Sequence, residues 1–357
     1  MIGSKKLRAG KERKVSKKSN LTEKKGFSIS KRAGIISAIT VSLLMILIIV
    51  LHVNKGPLAD HREEMIKKIV SCTVIAIACG VFIKLYDKIT QLPVELWQNR
   101  RLIWKLAKND FKKRYAGSYM GAVWALVQPV ITVVMYYIVF DKIMGNGGGG
   151  GLRDSGQVPF VLFLTAGLVP WFFFSEAWTN ATNALREYDY LVKKVVFKIS
   201  ILPIIKTIAA TFVHAFFVLV LLVVAAVYGY YPGVYTLQVI YYSFCLFIFV
   251  LALSYTTCSV AVLFKDMTQI INIILQVGIW ATPIMWNLDG LSDEWKIIFK
   301  LNPLVYIVNG YRDAIYGEQW FFQDFFSMMY FYVSTALLFG IGALIFKRLK
   351  VHFADVL

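Results

Sequence analysis

Four cations stand at intervals of four, three and four residues: Arg101, Lys105, Lys108 and Lys112. At 3.6 residues per turn those intervals place all four on one narrow helix face. Lys113 and Arg114 follow at once, and Ile103, Trp104, Leu106, Ala107 and Phe111 fill much of the remaining circumference. A helix divided in this way lies in the headgroup region of a bilayer, aromatic side down and cations towards phosphates. Contact with phosphate is the chemistry these six basic residues can do. Asp110 interrupts the apolar side, a position suited to a contact with protein.

No catalytic constellation accompanies them. The histidines His52, His61, His214 and His352 are scattered, and the chain has no H-E-x-x-H, G-x-S-x-G, CxxC pair or nucleotide-binding glycine motif. Gly147 to Gly151 are five glycines in a row, without the order of a phosphate-binding loop. Glu176 and His214 fall inside long apolar runs, where an ionisable group is costly and turns to the bundle interior. Interhelical hydrogen bonding and a place on a translocation path both fit them. A proton relay would need a longer series. Aromatic residues make up 15% of the chain. Interface anchoring accounts for most, but some could wall a conduit along which flat rings slide. The candidates for such a wall are Trp124, Tyr136, Trp171 and Trp280, with Glu176, His214 and Arg312.

The elements that must carry these residues are membrane spans. Hydrophobic residues are 58% of the 357, and the mean hydropathy is +0.61. Eight runs approach the length needed to cross about 30 Å of hydrocarbon: 33–53, 67–86, 117–140, 158–182, 207–231, 235–264, 268–288 and 321–346. Lys67, Lys68 and Lys84 shorten the second, although their stems can snorkel to the interfaces. With the N-terminus inside, the cytoplasmic segments hold 30 of the 39 basic residues and the outer ones 9. That bias favours both termini in the cytoplasm. Residues 301–317 are too short and polar to span, and with Pro303, Gly310 and Arg312 they suit a helix that rests in the outer leaflet or re-enters among the spans.

The net charge of +18 does not require nucleic acid, because residues 1–32 form a basic tail that accounts for more than half of it. Such a tail is attracted to anionic lipid. The first span reads as a retained anchor rather than a cleaved signal. Cys72, Cys79, Cys245 and Cys258 all fall inside spans and make no metal-ligand spacing. The chain thus divides into a cytoplasmic tail (1–32), a two-span extension (33–88), an amphipathic interfacial helix (96–116) and a six-span domain (117–350).

A family resemblance begins where the interfacial helix meets the first span of that domain. Tyr115-x-x-Ser118-x-x-Gly121-x-x-Trp124-x-x-x-x-Pro129 resembles the first core span of the transmembrane subunit of ABC-2-type polysaccharide exporters, those of O-antigen and teichoic acid. Gly167-Leu-Val-Pro170-Trp171 resembles the second span. Leu191 to Phe197 followed by Leu202-Pro203 resembles the coupling segment. Lys265-Asp266, Thr282-Pro283-Ile284, and Asn302-Pro303 with Arg312 follow in order. Two features depart from the family: Lys198 stands where a proline is common, and the tail with two extra spans is additional.

The resemblance implies an all-α integral membrane protein with a six-span ABC-2, type V exporter-like core, an interfacial helix and outer re-entrant helices. It implies a homodimer in the cytoplasmic membrane, paired with two copies of a separate ATPase that binds the ATP and Mg. The substrate would be a glycan on a polyprenyl (pyro)phosphate carrier. Arg101, Lys105, Lys108, Lys112, Lys113 and Arg114 become candidate contacts for the carrier phosphates. Glu187, Tyr190, Lys193, Lys194 and Phe197 become candidate contacts for the ATPase. The chain itself would be no enzyme and bind no cofactor. An ABC-2 drug or lipid exporter is the alternative within the superfamily, and a membrane-embedded glycosyltransferase the alternative outside it.

Overall fold

The computed structural model describes residues 31–51, 61–89, 91–114, 119, 121–143, 152–153, 156–193 and 198–356. The basic tail up to residue 30, the five-glycine run, Tyr115 to Ser118, and Lys194 to Phe197 lie outside the described residues. Two compact units divide at residues 102 and 103.

The first unit holds α1 (Lys31–Leu51), α2 (His61–Ile89) and α3 (Gln91–Gln98). Helices α1 and α2 pack side by side. They approach closely because Gly34 lies under the Tyr86 ring, where an added Cβ would come within 2.1 Å of the hydroxyl. Small residues permit such backbone approach in lipid.

Helix α4 (Arg100–Arg114) carries the chain into the second unit. There follow α5 (Trp124–Tyr136), which continues as a π-helical stretch through Ile143, and α6 (Phe160–Thr182). Two short helices, α7 (Ala184–Glu187) and α8 (Asp189–Val192), lead to α9 (Leu202–Val227) and α10 (Gln238–Leu263). Then come α11 (Met267–Ala281), α12 (Asp293–Lys300), α13 (Leu304–Arg312), α14 (Phe325–Leu349) and α15 (Phe353–Val356).

Four helical stretches among the described residues are long and apolar enough to cross a membrane: Phe160–Thr182, Ile199–Val227, Tyr235–Leu263 and Phe325–His352. They match the runs expected at 158–182, 207–231, 235–264 and 321–346, with one shift of consequence. Helix α9 starts at Leu202 rather than 207, because Pro203 fits the first helical turn, where a missing N–H is harmless. Lys206, expected in the connecting loop, is therefore helical and buried. The run expected at 268–288 also differs. Pro283 forces Thr282 into extended backbone (φ −101°, ψ 133°) and ends α11 at Ala281.

Helix α6 is buried around most of its circumference, as a sequence apolar on all sides apart from Glu176 and a few small polar residues requires. The helices α9, α10, α11 and α13 pack on it. Its hydroxyls are satisfied inside the bundle. Thr165 Oγ1 donates to Val161 O at 2.6 Å, and Thr182 Oγ1 lies 2.7 Å from Thr257 Oγ1 of α10. The first bond stays within α6, and the second joins α6 to α10 where no water can serve. Gly121 opens the turn into α5 with φ +55°, a left-handed conformation that favours glycine. Nothing lies within 4 Å of where its Cβ would be, so conformation rather than space explains this motif position.

Candidate functional site

Two polar constellations form, one towards each end of α6. At the Thr182 end, Asp110 of α4, Glu187 and Tyr188 of the α7–α8 segment, and Lys206 of α9 meet. Lys206 Nζ donates to Asp110 Oδ1 at 2.7 Å and also to Glu187 Oε2. Tyr188 Oη donates to the same Asp110 oxygen at 2.9 Å, and Nζ lies 5.0 Å from the Tyr188 ring centroid. Burial, then the Asp110 charge, pushes the Tyr188 phenol well above the usual range, so it stays a donor. Asp110 faces protein, as its interruption of the apolar stripe suggested.

The same segment is tied to the α10–α11 connection. Arg186 Nη1 donates to Lys265 O at 3.4 Å, and Thr268 Oγ1 donates to Asn183 Oδ1 at 2.8 Å. The Lys265-Asp266 position of the resemblance thus touches the start of the α7–α8 segment through Arg186. Outward from these ties, Glu187, Tyr190 and Lys193 are exposed. Lys194 and Phe197 lie outside the described residues. Lys198 keeps extended backbone at φ −83°, not far from the angle a proline would impose.

Along α4 the candidate phosphate contacts separate cleanly from the packed side. Arg101, Lys105, Lys108, Lys112 and Lys113 are exposed, while Ile103, Ala107 and Asp110 form a buried stripe. Arg114 is the last residue of the helix. The aromatic side, expected to face acyl chains, meets protein in part. Trp104 and Phe111 pack edge-on against Phe212 of α9, with ring centroids at 5.2 and 5.9 Å. Trp104 is still 58% exposed.

Nearer the Phe160 end, Arg312 at the end of α13 is buried. Its guanidinium sits 3.6 Å over the Phe163 ring, and Nη2 donates to Ile284 O at 2.8 Å. Gly167 leaves this contact little room: an added Cβ would lie 3.2 Å from both Arg312 Nη2 and Ile284 Cγ2, so both would have to give by a few tenths of an ångström. Asn302 Nδ2 donates to Thr282 Oγ1 at 2.9 Å. Three motifs scattered through the sequence, around Gly167, Thr282 and Asn302, therefore form one assembly with Arg312. His214 is buried close by on α9, with Nε2 at 2.9 Å from Tyr311 Oη and 3.1 Å from Ser243 Oγ. That arrangement is the interhelical hydrogen bonding weighed for it.

The remaining conduit candidates fall into two groups. Trp171 is buried against Gly278, and Glu176 is half-buried. Trp124 and Trp280 are 52% and 63% exposed. Tyr136 is the last residue of α5, its side chain outside the described set. The sequence reading missed Lys206, and also Gln238, whose amide bridges Gln319 O and Phe321 N. The lone lysine near Pro203 was the available signal for the first. Nothing in the sequence marked the second.

Apolar helices of spanning length with polar joints buried between them define a multi-pass membrane protein. The chain belongs to the ABC-2 type transporter family, whose model matches residues 101–316. It is 27% identical over 268 residues to an O-antigen export system permease protein, RfbA, of Myxococcus xanthus. That match covers 73% of this chain and 97% of the relative. A protein of the same name from Klebsiella pneumoniae is 25% identical over 256 residues, covering 71% and 93%. The polysialic acid transport protein KpsM of Escherichia coli is 22% identical over 210 residues, covering 58% and 78%. Members of this family are transport permeases rather than enzymes.

Proposed function

We propose that this chain is the permease subunit of an exporter that moves a polyprenyl-(pyro)phosphate-linked polysaccharide, an O-antigen-like glycan or teichoic acid, across the cytoplasmic membrane. The observation that carries the reading is the match to O-antigen permeases over nearly their whole length. In this reading two copies form the conduit and two copies of a separate ATPase supply the energy. The ATPase docks on the exposed face of the segment bearing Glu187, Tyr190 and Lys193, together with Lys194 and Phe197. The eight spans keep both termini in the cytoplasm, so this segment and α4 lie at the inner surface, and α12 and α13 at the outer.

The carrier's phosphates dock on Arg101, Lys105, Lys108, Lys112, Lys113 and Arg114. Each cation near an anionic surface is worth about 1 kcal/mol, so several select a charged headgroup. The packed stripe of α4 supports this, because it holds the helix while leaving the cations exposed. Trp124 and Trp280, exposed on their helices, are the best placed candidates to meet sugar rings. ATP binding in the partner changes the docked surface, and only such a difference can bias the conformation of the spans.

The test is reconstitution of the chain with its ATPase in sealed vesicles carrying a lipid-linked glycan. The expected result is glycan reaching the opposite face only with hydrolysable ATP. Movement of a hydrophobic drug or an unglycosylated lipid instead would favour the other exporter class.

A further inference from the structure

Lys206 occupies an unfavourable place for a cation. Its side chain is 6% exposed, and it sits near the start of α9, where the helix end is itself positive. Asp110, Glu187 and the Tyr188 ring offset both penalties. The two carboxylates are not equivalent. The Asp110 side chain is 10% exposed and also accepts from Tyr188, whereas that of Glu187 is 51% exposed at the surface of the α7–α8 segment. One arm of the joint is fixed inside the protein and the other opens to solvent.

We infer that Lys206 is a positioning residue for transport, the joint through which movement of the α7–α8 segment reaches both the α9 span and the α4 helix. This rests on the reading that the segment docks an ATPase. A buried ion pair resists separation, because breaking it strands a charge away from water. The Asp110–Lys206 pair therefore fastens α4 to α9 as one body. Glu187, in contact with water, can exchange Lys206 for solvent or for a cation of the partner at modest cost. The segment can thus tilt about a fixed pivot without dissolving it. Tyr188, bonded to Asp110 and stacked near Nζ, keeps the segment in register during that tilt. A displacement at the docking face becomes a coordinated shift of the substrate-binding helix and a span, two elements far apart in sequence.

The test uses the intact complex in vesicles and reads glycan exported per ATP hydrolysed, with ATPase association measured alongside. Lys206→Met leaves Asp110 buried without its cation and is expected to fold poorly. The pair Asp110→Asn with Lys206→Met leaves no stranded charge and serves as the informative variant. It should retain ATPase association while export per ATP falls roughly tenfold, within the range seen for mutations along coupled networks. Lys206→Arg, which keeps the cation between Asp110 and Glu187, should hold most of the wild-type ratio. A double variant that exports at the wild-type ratio would show that the cluster only holds the fold, and overturns the inference. A wild-type complex that moves no glycan with ATP would overturn the functional reading, and this inference with it.

Discussion

At the scale of single residues, the motifs of this chain are contacts more than chemistry. Gly167 lies close against Arg312, and Arg312 supplies a donor to a carbonyl beyond the broken α11 end. Thr282 is extended before Pro283, which frees Ile284 O from any helix and offers it to the guanidinium. Replacing Arg312 with Met should strand that carbonyl and remove the stack on Phe163. Loss of about 1–3 kcal/mol is expected for a buried acceptor left unmet. An SDS or thermal unfolding midpoint of the purified chain measures it. An unchanged midpoint would mean that the arginine is present for substrate rather than for packing. The residue identities were legible in the sequence, but their convergence was not. Gly167 stands more than a hundred residues before Thr282, Asn302 and Arg312, and no periodicity links it to them.

At the scale of elements, α4 does two jobs on two faces. The 4-3-4 spacing of its cations was readable directly, and the structure leaves that face exposed while burying Ile103, Ala107 and Asp110. Replacing Lys105, Lys108 and Lys112 by Gln should lower export while leaving ATPase association intact, because none of the three is on the buried stripe. Quantifying surface glycan and co-purified ATPase in one strain checks both halves. Full export in the triple variant would remove phosphate docking from the account. The start of α9 was less legible. Hydropathy places a span boundary after a lysine, whereas Pro203 starts the helix earlier and carries Lys206 inside. Local helix chemistry overrode the apolar count there. The same competition, with Pro283 as the breaker, ended α11 before its apolar run did.

At the scale of the whole molecule, the class followed from composition and the long apolar runs, and the four spanning helices agree with it. The additional runs, the two-copy arrangement and the topology belong to the proposed assembly. A single chain shows one protomer's contacts, and a conduit between protomers is built from surfaces that are free in one copy. Trp124 and Trp280 are exposed in the single chain, so packing assigns them no role, and their place on the conduit belongs to the proposal. In the proposed topology the charge asymmetry of the loops would set the direction, with 30 basic residues on the side of the tail against 9 opposite.

The central claim is that this chain is half of a machine whose energy comes from another subunit. Mild-detergent purification of the tagged chain from its own cells, with mass spectrometry of everything retained, tests that claim most directly. The account predicts a near-stoichiometric soluble protein carrying the two nucleotide-binding sequence motifs of an ABC ATPase. Recovery of the chain without such a protein, under conditions in which a known ABC complex stays whole, would contradict it and bring the membrane-enzyme alternative forward.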